Sequence, residues 1–249
     1  MRAVPAVLAI LLLLVTSTAG ADARHIRIST RHHGAIHVWI PDGYDAEHAG
    51  VVVYVHGYFT DVDDAWRNHQ LAHQFADSGL DAMFIACEAP ESAVDAVTWP
   101  SLRELLARVD AEPSLDLPDG PLIAVGHSGA HRTLGEWLDD PDLHTVVLLD
   151  ALYGKVSEVG AWLAQSPDHR LIDISVLTRP WAEELHKSLP ETVVFEGLPS
   201  VRADHGQTAR SARVVHVRAR VGHMPLVTNG IALPTVLRTL RLPRVERQD

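Results

Sequence analysis

The sequence predicts an α/β fold with a mostly parallel central sheet and helices on both faces. Short, nearly continuous apolar runs rich in β-branched residues recur along the chain, as strands buried on both faces require. Segments with helical spacing of apolar residues separate these runs. Such alternation implies right-handed crossovers between parallel strands.

The elements follow in order. Residues 25–30 and 34–40 read as two strands, the second closed by Pro41-Asp42-Gly43, and are expected to form an antiparallel edge. Residues 51–56 (VVVYVH) are a buried strand. Residues 63–76 read as one helix with Ala65, Leu71, Ala72 and Phe75 on one face and Gly79 as its stop. Residues 82–87 are strand, and 101–109 a short helix with Pro100 near its start. The LIAV run at 122–125 is a strand, followed by a helix over 129–138 with Ala130, Leu134 and Trp137 toward the sheet. Strands at 145–149, 171–176 and 214–218 alternate with helices at 156–163, 180–189 and 231–240. No long Gly/Ser linker, repeat or low-complexity tract interrupts the series, so residues 24–249 are expected to be one domain, fraying from Pro243.

Residues 1–23 have the pattern of a secretory signal peptide. Arg2 gives a charged start, residues 7–15 (VLAILLLLV) an apolar core, and residues 17–23 (STAGADA) a small-residue cut region. The core is shorter than the about 20 residues of a permanent anchor, and no cysteine near the cut suggests lipid attachment. The mature chain is therefore expected outside the cytoplasm, secreted or periplasmic, with no stable membrane span after processing. Cys87 is the sole cysteine, which rules out an internal disulfide. That fits a bacterial protein, as do the predominance of Arg among the basic residues and the frequent Ala and Val. The net charge of -11 argues against nucleic acid as a partner. Among 16 histidines, His69/His73 and His127/His131 stand four apart, the spacing of a shared metal on a helix. Without an H-E-x-x-H pattern or a nameable third ligand, hydrogen-bonded or solvated roles are the expectation, and no metal is expected.

Three signals fall at the carboxyl ends of expected strands, the edge where open α/β sheets bind ligands. Gly126-His127-Ser128-Gly129-Ala130 follows the LIAV strand and opens a helix. It is close to the G-x-S-x-G elbow, in which a strained strand-to-helix turn exposes a nucleophilic serine and demands small neighbours two positions away. Ala130 replaces the second glycine and adds one methyl. Ser128 is the candidate nucleophile, and the helix N-terminus aims N–H groups at it. The second signal is His56-Gly57-Tyr58 at the end of the VVVYVH strand, and the third is Val221-Gly222-His223-Met224-Pro225 after the last strand.

With these motifs in this order, the chain resembles the α/β-hydrolase superfamily, in its secreted serine esterase and lipase-like members. The resemblance covers nearly all the chain after residue 23 in element order, on motifs of only about a dozen residues. It implies an oxyanion hole formed by the backbone N–H groups of Tyr58 and Gly129. It places the general base at His223; His205 precedes the last strand and His216 lies within it. In this fold the acid follows the serine and precedes the histidine; likeness to the relatives that take it from the earlier strand points to Asp150, at the end of TVVLLD, with Asp173, Glu183 and Glu184 as alternatives. The short segment 151–170 leaves no room for a large lid. Phe59, Trp99, Tyr153 and Leu226 are candidate walls of an apolar pocket, each with packing on the core as its plainer role.

The expected activity is hydrolysis of a small-molecule carboxylic ester through a Ser-Asp-His triad and an acyl-enzyme, without cofactor. A peptidase or amidase using the same triad, a thioesterase or acyltransferase, and a non-catalytic hydrolase-like binding protein are the alternatives.

Overall fold

The computed structural model describes residues 22–199 and 203–245. The expected signal peptide lies, apart from Asp22 and Ala23, outside the described residues.

The apolar runs become strands β1 (Arg24–Ser29), β2 (Ala35–Ile40), β3 (Gly50–Val55), β4 (Ala82–Cys87), β5 (Leu122–His127), β6 (Leu143–Leu149), β7 (Arg170–Ser175), β8 (Val193–Phe195) and β9 (Val214–Arg218). They join one open sheet in the order β1-β2-β4-β3-β5-β6-β7-β9-β8. The pairs β1–β2 and β2–β4 are antiparallel, and every pair from β4 to β8 across the sheet is parallel. The antiparallel edge expected from the sequence is therefore present.

The side-chain alternation of a strand explains why the central runs are apolar throughout. Val51, Val53 and Val55 of β3 enter one core, while Val52 and Tyr54 enter the other. The first core is covered by α3 (Leu102–Asp110), α4 (His131–Trp137), α5 (Val156–Gln165) and α6 (Arg179–Lys187), through Leu105, Trp137, Trp162 and Leu185. The second is covered by α1 (Val62–Asn68), α2 (Leu71–Ser78), α8 (Pro225–Thr228) and α9 (Ala232–Leu237), through Val62, Phe75, Val227 and Leu233. Helix α7 (Ala203–Ser211) precedes β9.

Three features differ from the sequence expectation. The single helix over 63–76 is two, α1 and α2, broken at Gln70 with φ of 51°. Buried Ala65 and buried Leu71 are six residues apart, about 120° out of phase on a continuous helix, so the break lets both face the sheet. The Gln74 amide stabilises the break by donating to the His69 and Val227 carbonyls. Second, β8 and α7 carry too little apolar periodicity to be read: β8 has three residues at the sheet edge, and α7 is the polar run ADHGQTARS. Third, residues 243–245 do not fray. The Asp81 N–H donates to the Pro243 carbonyl (3.0 Å) and the Val245 N–H to the Gly79 carbonyl (3.1 Å), with Leu80 bridged to Arg244.

Because β5, β6 and β9 run parallel, the segments that leave their carboxyl ends emerge at one edge of the sheet. Ser128, Asp150 and His223 lie in those three segments. Among the described residues, no helix is long and apolar enough to cross a membrane.

Candidate active site

Ser128 follows β5 directly and opens a single 3-10 turn, Ser128–Ala130, that leads into α4. Its φ is 54°, a left-handed conformation that costs a non-glycine residue of order 1 kcal/mol and persists only when the surroundings impose it. Close packing imposes it here. A Cβ on Gly126 would stand 2.5 Å from Leu134 Cδ1 and 2.9 Å from Ala130 Cβ. A Cβ on Gly57 would stand 2.9 Å from Ser128 Cβ, and one on Gly129 would meet the Tyr58 ring at 2.5 Å. Ala130 is tolerated in the elbow because Gly126 opposite it has no side chain.

Ser128 Oγ lies 2.9 Å from His223 Nε2, and His223 Nδ1 lies 2.6 Å from Asp150 Oδ2. Asp150 is fully buried, with φ of 51°, just past the end of β6. Its N–H donates to the Ile174 carbonyl at 2.7 Å. Its Oδ1 accepts from the Val176 N–H (2.9 Å), the Thr178 N–H (2.8 Å) and the Thr178 hydroxyl (2.7 Å), and its Oδ2 from the Leu177 N–H (3.0 Å). Burial opposes ionisation, but the bonds from His223 and from the Thr178, Leu177 and Val176 N–H groups outweigh it. They hold the carboxyl well below the usual carboxylate range. An ionised Asp150 accepts a hydrogen bond from the His223 Nδ1–H, which leaves Nε2 to accept from the Ser128 hydroxyl.

Two further histidines brace this row. His127, buried beside Ser128, donates from Nε2 to the His223 carbonyl at 3.3 Å. His131 Nδ1 donates to the Ser128 carbonyl at 3.2 Å. Burial, then the neighbouring His223, pushes the His127 pKa down to about 3, so its ring is neutral. In the loop after β3, Tyr58 packs its ring on the backbone of Gly129, while the Phe59 N–H is committed to the Glu91 carbonyl at 2.8 Å. The two residues expected to form the oxyanion hole are thus neighbours beside Ser128.

A cleft of about 430 Å³ opens over Ser128 and His223, walled by Tyr58, Phe59, Asn68, His69, Met224 and Thr228. Phe59 is 92% exposed at its mouth, with φ of 67°. Tyr153 interacts with Ser128 from outside this cleft, its ring 5.4 Å from His131 and 5.6 Å from Trp181. Trp99 and Leu226 are not walls. Trp99 is 3% exposed within the core beneath α3 and α4, and its carbonyl accepts from Trp137 Nε1 at 2.8 Å. Leu226 is 0% exposed in the opposite core. Each lies near the right edge in sequence, but its apolar surface is satisfied by packing underneath.

The alternative acids and bases are not brought to Ser128. Asp173 meets His186 at 3.1 Å, Glu183 reaches toward Arg218, and Glu184 is exposed. His205 sits in α7 against Phe195, and His216 is buried in β9 beside His186. Neither i,i+4 histidine pair shares a helix. His69 caps α1 and is buried while His73 faces Asp77 from α2, and His127 ends β5 while His131 starts α4. Sequence reasoning missed the bracing role of His127, and Asn68, His69 and Thr228 as cleft walls. For His127 the only signal was its place beside the serine in the elbow.

No family model matches the chain, and no curated protein matches it. Solved structures do. The feruloyl esterase module from Clostridium thermocellum aligns with a TM-score of 0.57 at 11% identity, over 93% of this chain and 92% of that one. A fluorophosphonate-binding serine hydrolase from Staphylococcus aureus gives 0.55 at 11% identity, over 88% and 97%. An esterase from the archaeon Pyrobaculum calidifontis gives 0.50 at 15% identity, over 89% and 87%. At these identities the likeness establishes the architecture: the chain has the α/β-hydrolase fold.

Proposed function

We propose that the protein is a serine hydrolase that cleaves carboxylic esters of small molecules through an acyl-enzyme on Ser128. The observation that carries this reading is the continuous row Ser128 Oγ–His223 Nε2 (2.9 Å) and His223 Nδ1–Asp150 Oδ2 (2.6 Å). In this reading His223 takes the serine proton as Oγ attacks the ester carbonyl, then passes it to the leaving alkoxide. The backbone N–H groups of Tyr58 and Gly129 receive the developing oxyanion. A water activated by His223 then releases the acid. Asp150 holds the imidazole tautomer and stabilises its charged form. Support comes also from the solved structures of similar fold, named as feruloyl esterase, esterase and fluorophosphonate-binding serine hydrolase. The exposed apolar side chains Phe59 and Met224 at the cleft mouth favour esters with an apolar or aryl acyl group.

The residues after the apolar N-terminal run, 24–249, form one hydrolase domain in this proposal. Residues 1–23 are removed on export to the periplasm or the exterior of a bacterial cell, which N-terminal sequencing of the exported protein tests.

The first experiment is intact-mass analysis after exposure to a fluorophosphonate, with Ser128→Ala as control. One adduct on the wild type and none on the variant is the expected result. A folded wild type that takes up no adduct would overturn the proposal and leave a hydrolase-like binding protein.

A further inference from the structure

Beyond β6, away from the Ser128 cleft, three buried titratable side chains converge. Asp173 of β7 and His216 of β9 are register partners on adjacent parallel strands, so their side chains leave the same face of the sheet. His186 of α6 closes the group, with its ring stacked on that of His216 at 4.4 Å. None of the three is more than 8% exposed. One ligand atom from each lies within 4.8 Å of the other two.

The group is incomplete as a hydrogen-bonded network. Asp173 is 0% exposed, and its Oδ1 is buried with no hydrogen-bond partner. A buried carboxyl oxygen left unpaired calls for a counterpart. The other positions are furnished as a metal site requires. His186 Nε2 faces Asp173 Oδ2 at 3.1 Å, while its Nδ1 meets the Thr192 hydroxyl at 3.2 Å. Ligating imidazoles characteristically turn their second nitrogen to such an oxygen. Ser175 Oγ, 2.9 Å from His216 Nε2, is a hydroxyl partner for the second ring. Tetrahedral zinc with bonds of about 2.0–2.2 Å separates its ligand atoms by about 3.3–3.5 Å, so the His186–Asp173 pair needs only a small opening. The three ligand atoms lie within 4.8 Å of one another, so binding draws the wider pairs in by at most roughly 1.4 Å and turns one imidazole out of the stack. Arg218, the nearby cation on β9, is paired with Glu196 at 2.7 Å and Glu183 at 3.7 Å, and Arg179 turns a guanidinium nitrogen to the Ala219 carbonyl.

We propose that Asp173, His186 and His216 supply three ligands of a buried site for one zinc ion, with a water molecule as the fourth. Two imidazoles and a carboxylate suit zinc, which tolerates irregular tetrahedral geometry and needs no redox partner. The ion ties β7 to β9 and to α6. Between β7 and α6 runs the loop 176–178, whose N–H groups cradle Asp150. The site does not depend on the ester-hydrolase reading and is read without any activity assay.

The test is metal analysis of the full-length protein purified from zinc-supplemented medium, followed by chelation and reloading. The expected result is one equivalent of zinc in the wild type. Reloading with zinc then raises Tm by roughly 5–10 °C over the chelated protein, and cobalt(II) in its place gives visible d–d bands of tetrahedral intensity. Asp173→Asn and His216→Gln lose the zinc and the shift. If those variants fail to fold, the cobalt spectrum of the wild type decides by itself. Traces of metal with no Tm shift and a featureless cobalt spectrum would overturn the proposal. So would stoichiometric zinc retained by both folded variants.

Discussion

His127 Nε2 donates to the main-chain carbonyl of His223 across 3.3 Å, and the two rings lie 4.5 Å apart. Residue 127 ends β5 and residue 223 stands in the loop after β9, so this contact fixes the loop against the strand that carries Ser128. His127→Ala should lower kcat on an activated ester about tenfold, the rate equivalent of about 1.4 kcal/mol, with KM nearly unchanged. Steady-state kinetics at neutral pH check this. An unaltered kcat would show that the loop holds His223 without help.

Asp150 accepts from the Val176, Leu177 and Thr178 N–H groups and the Thr178 hydroxyl, and its Oδ2 lies 2.6 Å from His223 Nδ1. Asp150→Asn keeps the volume but replaces an acceptor oxygen with an N–H2 group that faces backbone donors or His223 Nδ1. Loss of the tautomer lock should cut kcat by roughly 10³–10⁴-fold. Circular dichroism and kcat measured on one preparation separate this loss from unfolding.

Packing at the elbow makes a steric prediction. Gly126→Ala would place a methyl 2.5 Å from Leu134 Cδ1 and 2.9 Å from Ala130 Cβ. Overpacking of this kind should cost roughly 1–3 kcal/mol, seen as a lower urea midpoint. Stability equal to the wild type would mean that α4 can shift away from β5.

Phe59 combines 92% exposure with φ of 67°. Its ring contributes little to the core, and its backbone favours glycine. Phe59→Gly should therefore raise stability by roughly 1 kcal/mol while raising KM several-fold for esters with bulky apolar acyl groups. Thermal unfolding and KM across an acyl-chain series read the two effects separately.

Stability should fall on acidification from neutral pH as buried neutral histidines come under pressure to charge. Burial lowers the pKa of His69 to about 4 and that of His127 to about 3, from 6.5 when unfolded. The unfolded chain then binds more protons, so the contribution is complete above about pH 6.5 and fades as pH falls toward 4 and 3. Between pH 7 and pH 5 each histidine should cost roughly 2 kcal/mol. Asp150, depressed in the fold, adds a second loss below about pH 4. Denaturant titrations across this range test both steps; a flat profile from pH 7 to 5 would contradict the burial of these rings.

Much of the fold and the hydrogen-bonded row of Ser128, His223 and Asp150 was legible because each rests on local pattern. The strand runs at 51–56, 82–87 and 122–125 are apolar on both faces, which only a covered parallel sheet accommodates. The elbow around Ser128 announces itself through small residues that close packing demands. Position after a strand, read with the resemblance to the α/β-hydrolases, named His223 and preferred Asp150 over Asp173. The tertiary structure alone decided the rest. Trp99 and Leu226 stand beside the site in sequence yet belong to the core, because burial depends on what packs from distant segments. The break at Gln70 follows from the phase of two stripes against one sheet, with Gln74 reaching the carbonyl of Val227. The cluster of Asp173, His186 and His216 comes from two strands and a helix, joined only by strand register and helix packing. Residue spacing encodes contacts along one element; contacts between elements exist only once the sheet has set their register.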